Sequence, residues 1–103
     1  MTGTPSQTEW AERIKAQVGA EFDRVSASFR SVAEKQKENR RLETEAIISI
    51  LEEKRAEVMA RDQAGYFIKE WQEISDQVRK MLLADARYQM IRAKSNGKVA
   101  PRT

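Results

Sequence analysis

Large apolar residues recur in this chain at intervals of three and four, in separate runs. Trp10, Ile14, Val18, Phe22, Val25, Phe29 and Val32 are spaced 4, 4, 4, 3, 4 and 3. Such intervals keep side chains on one face of an α-helix and would scatter them in a strand. Breakers are scarce, with Gly 4 and Pro 2, while good helix formers dominate. A chain of 103 residues fits one domain.

The first helix has a start signal. Thr4 is placed to cap it, Pro5 sits at the first helical position, and Gln7 follows three residues after the cap. The Thr/Gln pair can satisfy two orphan amides reciprocally, and proline's missing N–H does no harm there. Gly19 interrupts the run, which predicts close packing against a neighbouring helix. From Glu34 to Arg41 the apolar stripe vanishes. This stretch reads either as a solvated continuation of the helix or as a turn near Asn39, whose side chain tolerates left-handed geometry.

The pattern resumes at Leu42, and Ile47, Ile48, Ile50 and Leu51 crowd four large residues into five positions. They cover more than one helix face, so this segment is expected to touch two neighbours. Asp62 and Gly65 mark the next turn. Phe67, Trp71, Ile74, Val78 and Met81, spaced 4, 3, 4 and 3, form the clearest heptad. The seam breaks at Asp85, and Asn96-Gly97 reads as the C-terminal stop.

Three segments result, Ser6–Glu34, Arg41–Gln63 and Tyr66–Lys94, each roughly 35–45 Å long as a helix. The expected fold is all-α: an up-down-up three-helix bundle, or a long helical hairpin with coiled-coil packing, either of which can dimerise. Residues 1–5 are expected as an N-terminal tail, 6–94 as a single helical domain and 95–103 as a basic C-terminal tail.

Residue types narrow the chemistry. There is no Cys and no His, which removes disulfides, Ser-His and Cys-His nucleophiles, and the usual zinc sites. Glycines do not cluster into a phosphate-cradling loop. Glu43, Glu45, Glu52, Glu53 and Glu57 are interspersed with Lys54 and Arg55, the pattern of a solvated helix face. No catalytic, metal or cofactor site is expected. The longest apolar runs, such as Ala46–Ile48 and Met81–Ala84, are too short to span a bilayer. The start of the chain has neither a charged nor an apolar leader region, and a cytoplasmic protein is expected.

Charge is unevenly placed. Residues 1–76 carry 12 Lys and Arg against 15 Asp and Glu, whereas residues 77–103 carry seven cations (Arg79, Lys80, Arg87, Arg92, Lys94, Lys98, Arg102) and one acid, Asp85. These cations are the candidate contacts for nucleic acid or an acidic partner. The nine residues Ile47, Ile48, Ile50, Leu51, Phe67, Trp71, Ile74, Val78 and Met81 are the candidate protein interface. The expected function is a non-enzymatic protein–protein interaction module (an adaptor, scaffold, chaperone or inhibitor) that binds another protein or a second copy of itself. The alternative is a small nucleic-acid-binding accessory protein that uses the basic C-terminal helix and tail.

Overall fold

The computed structural model describes the backbone of residues 1–99 and the side chains of residues 1–94. Lys98 and Arg102, two of the candidate cations, lie outside the described side chains. The described residues form five helices: α1 (Pro5–Glu34), α2 (Glu38–Met59), α3 (Ala64–Glu70), α4 (Ile74–Ala84) and α5 (Ala86–Val99). The protein is all-helical, as the spacing predicts.

The start of α1 follows the sequence signal. Thr4 Oγ1 accepts a hydrogen bond from the Gln7 amide at 3.2 Å, and the Thr4 amide donates to Gln7 Oε1 at 3.1 Å. Pro5 occupies the first helical position. Residues 1–3 are tied down instead of forming a free tail. The Thr2 amide donates to the Asp62 carbonyl, and the Ala64 amide donates to the Thr2 carbonyl, each at 2.9 Å. Gly3 lies against Ala64 in the left-handed region, at φ 143°, where a Cβ would come within 2.9 Å of the Ala64 Cβ. This close approach and backbone geometry both require glycine.

Between Glu34 and Glu38 the chain turns. The left-handed residue is Glu38, at φ 54°, and not Asn39. The Thr44 hydroxyl donates to Gln36 Oε1 at 2.5 Å, which ties the turn to α2. α1 and α2 then run antiparallel. Arg30 meets Glu52 at 2.7 Å, Asp23 meets Arg55 at 3.0 Å, and Lys15 Nζ donates to the Arg61 carbonyl at 3.1 Å. Each step back along α1 is matched by a step forward along α2. Gly19 is buried where Arg55 and Met59 cross it, the close packing expected of it.

The core-facing seam of α1 is Ala11, Val18, Phe22, Ser26 and Ala33. Trp10 stands 55% exposed and Val32 47% exposed, outside it. Three successive spacings of four explain this. Twelve residues at about 100° each leave Trp10 roughly 120° from Phe22, while Ala11 falls within about 20° of it.

The third predicted segment is three helices. Trp71 leaves helical geometry at φ −116°, ψ 38°, and Asp85 is extended at φ −75°, ψ 126°. Neither break has a Gly or Pro. Propensity is a weak prior that packing overrides. Here the bends bring Phe67, Trp71, Val78 and Leu82 into one cluster with Val18, Phe22, Ile50 and Leu51. Gly65 lies inside α3 with open space around it; the turn occupies Ala60–Gln63. α5 continues through Asn96-Gly97, the predicted stop, to Val99. A helical glycine costs about 1 kcal/mol relative to alanine, a penalty and not a barrier. Residues 95–99 of the expected tail are therefore helical, and 100–103 lie outside the described residues. No helix among the described residues is long and apolar enough to cross a membrane.

Candidate functional site

The nine apolar residues expected at a protein interface lie in or against the core of the single chain. Ile47, Ile50, Leu51, Phe67, Trp71 and Val78 are core residues, and Ile74 and Met81 pack half-buried against them. Ile48 is buried on the flank of α2 beside Ala33. The crowded Ile47–Leu51 face is used on more than one side, because α2 packs against α1, α4 and α5.

What stays open is a groove of about 430 Å³ between α1 and α4, closed at one end by Tyr88 of α5. Val25 and Phe29 form its α1 wall and Val78 and Leu82 its α4 side, with Leu83 48% exposed on the rim. Val25 and Phe29 are one helical turn apart and share a face. Val25 falls roughly 60° to one side of Phe22, and Val32 roughly 80° to the same side. The apolar stripe of α1 is thus wider than its contact with α2 requires, and of that flank Val25 and Phe29 line this groove.

The groove is lined by charges of both signs, Glu21, Arg24, Asp76 and Arg79. At its Ser75 end the Glu21 carboxylate, mostly buried, accepts from Arg24 at 2.6 and 2.9 Å. Those bonds hold its pKa below the usual carboxylate value against the opposing effect of burial, and Ser75 adds a further hydrogen bond. Asp76 stands in the first turn of α4 at the same end. Arg79 of α4 is the further cation that lines the groove, and Lys80, Arg92 and Lys94 lie on α4 and α5 outside its lining. Arg79, Lys80, Arg92 and Lys94 are exposed and have no ion-pair or hydrogen-bond partner among the described residues.

Arg87 differs from those four. Its guanidinium spans Asp85 at 2.9 Å and Glu53 at 2.9 and 3.1 Å. Asp85 in turn meets Lys54 at 2.9 Å. Arg87 is therefore engaged within the chain, and so is the one acid of the basic stretch. The side-chain bonds from Arg87 and then Lys54 hold the Asp85 pKa far below its ordinary value, and Arg87 likewise lowers that of Glu53.

A second cavity of about 400 Å³ sits at the α1–α2 turn, around Ala33 and Ile48. Two ion pairs cross it, Arg30 with Glu52 at 2.7 Å and Arg41 with Glu45 at 3.1 Å, and Glu34 and Ser49 complete its polar lining. Among the described residues no cluster of three or more acidic, His or Cys side chains could hold a metal ion.

Sequence reasoning placed Val25 and Phe29 in the helix stripe but not at a site. The signal was their spread around α1, visible once Ala11 and Ala33 are counted in the core seam. No protein-family model, curated protein or solved structure matches the chain.

Proposed function

We propose that this chain is a non-enzymatic interaction module that docks an amphipathic helix of a partner protein in the α1–α4 groove. The partner's acidic residues lie over the α4–α5 end. The observation that carries this reading is an open apolar groove on a helix pair, α4 and α5, that also bears four cations without an ion-pair partner among the described residues. From Gln77 to Lys94 the single acid, Asp85, is already bound by Lys54 and Arg87. Arg79 on the groove wall and Lys80, Arg92 and Lys94 on the same two helices supply the positive charge that an acidic partner would meet. An apolar stripe on a docking helix would cover Val25, Phe29 and Leu83, at about 1.5–3 kcal/mol for each large side chain fully buried. The charges would steer encounter and fix the direction of the docked helix.

The same cations support the second reading, contact with the phosphates of nucleic acid. One NMR titration separates the two. The ¹⁵N-labelled protein is titrated with an 18-residue amphipathic peptide carrying acids at one end, with the same peptide bearing lysines there, and with a DNA duplex. The acidic peptide is expected to shift the amides of Val25, Phe29, Leu83 and Tyr88, and Leu83→Glu to abolish those shifts. Shifts produced by the duplex alone, centred on Arg79, Arg92 and Lys94 and lost with added salt, would establish the nucleic-acid reading instead.

A further inference from the structure

The bend at Asp85 is made by one residue in a sequence that favours helix on both sides. Met81-Leu82-Leu83-Ala84 precedes it and Ala86-Arg87-Tyr88 follows. All but Tyr88 are strong helix formers, and no Gly or Pro separates α4 from α5. Local sequence favours helix on both sides, and the bend is held by a local cap at Asp85 together with groups from α2.

Those groups can be traced. Lys54 of α2 holds Asp85 at 2.9 Å, and Glu53 of α2 holds Arg87 through two bonds. Asp85 Oδ1 accepts the Arg87 amide at 2.8 Å, capping the start of α5, and Gln89 Nε2 donates to the Leu83 carbonyl at 2.9 Å, covering the end of α4. Apolar attachment is slight by comparison. No described α5 side chain is fully buried, and only Tyr88 and Ile91 are partly so. The Arg87 and Glu53 side chains are each about half exposed, so water and salt compete for their pairing, whereas the Lys54–Asp85 pair is largely shielded, with side chains 16% and 9% exposed. A helix attached to α2 chiefly through two ion pairs, one of them open to solvent, is the element of this fold best placed to exchange positions.

We propose that Asp85 is the hinge of a two-position arm. With the Lys54–Asp85 and Glu53–Arg87 pairs made, α5 lies folded along α2. With them broken, α4 and α5 join into one helix from Ile74 to Val99, about 39 Å long at 1.5 Å per residue. The joined form carries Tyr88 out of the groove and removes its end wall. The arm rests on the ion-pair geometry alone and stands whether or not a partner helix docks in the groove.

The chain has no cysteine, so spin labels can be placed at Glu57→Cys on α2 and Lys94→Cys on α5 and read by pulsed dipolar spectroscopy. At low salt the otherwise unchanged chain is expected to give one short distance. In 1 M NaCl, which screens the exposed Glu53–Arg87 pair, and more fully with Asp85→Ala and Arg87→Ala together, which remove both pairs, a longer distance is expected to grow in with no loss of helical circular dichroism. Ala86→Pro supplies the control. Proline is well suited to the first position of α5 but clashes inside a joined helix. Added to the double variant, it is expected to restore the short distance. A single short distance in the double variant at both salt levels would overturn the proposal. So would a long distance that persists with Ala86→Pro, or one accompanied by lost helix signal, which marks fraying.

Discussion

The indole of Trp71 stands edge-on to the ring of Phe22, with centroids 6.1 Å apart and planes inclined by 61°. The two residues are 49 positions apart in sequence. The contact joins the middle of α1 to the break between α3 and α4, and both rings are shut off from water. Edge-to-face pairs place the positive ring edge against the negative face and add about 0.5–1.5 kcal/mol beyond burial.

Trp71→Ala is expected to cost about 3–5 kcal/mol, the range for truncating a buried aromatic. That is a large share of the total stability of a domain this size, so urea denaturation should show the variant largely unfolded near room temperature. Trp71→Phe should be much milder. The Trp71 Nε1 proton is buried without a hydrogen-bond partner among the described residues. Phenylalanine keeps a ring against Phe22 and removes that polar group. A Phe variant as unstable as the Ala variant would contradict this account.

Glu38 carries the left-handed turn between α1 and α2 at φ 54°. A side chain in that conformation costs about 1–2 kcal/mol. Glycine adopts it freely but loses more backbone entropy on folding. Glu38→Gly is therefore expected to stabilise the protein by about 0.5–1 kcal/mol, read as a higher denaturation midpoint at unchanged slope. Asn39→Gly, one residue on and inside α2, should instead destabilise.

Asp85, Glu53 and Glu21 all have pKa values lowered in the folded chain, by Arg87 and Lys54, by Arg87, and by Arg24 respectively. A lowered folded pKa means the unfolded chain takes up protons first. The stabilisation is therefore complete above the ordinary carboxylate range and drains away as pH falls through the depressed values. Loss should begin below about pH 4 and continue into strongly acidic solution. Asp85→Asn keeps an oxygen able to cap α5 but carries no charge. Its melting temperature is expected to lie below that of the unchanged chain at neutral pH and to fall less steeply in acid. Parallel acid limbs for the two proteins would show that Asp85 is not paired in solution.

Much of the fold is legible in the sequence, because it depends on residues within a turn or two of each other. The Thr4, Pro5 and Gln7 cap is a matter of three neighbouring side chains. The helices follow from spacing and the scarcity of breakers. The four crowded residues between Ile47 and Leu51 already imply neighbours on more than one side. The site was less legible. A stripe read from large residues alone begins at Trp10 and leaves out Ala11. In a helix with three spacings of four, angle decides which of them faces inward, and angle is read only against a known partner.

Sequence by itself determined that the chain is helical, where α1 begins, and that cations gather after Gln77. Tertiary structure decided where the third segment bends, which flank of α1 stays open as a groove, and which cations are tied into ion pairs. The bends lie in stretches that favour helix, and they exist because Phe22, 49 residues before Trp71, and Lys54, 31 residues before Asp85, reach across to hold them. Arg87 and Arg92 are the same residue type on the same helix. Only the proximity of Asp85 and Glu53 makes one a structural tie and leaves the other without an ion pair among the described residues.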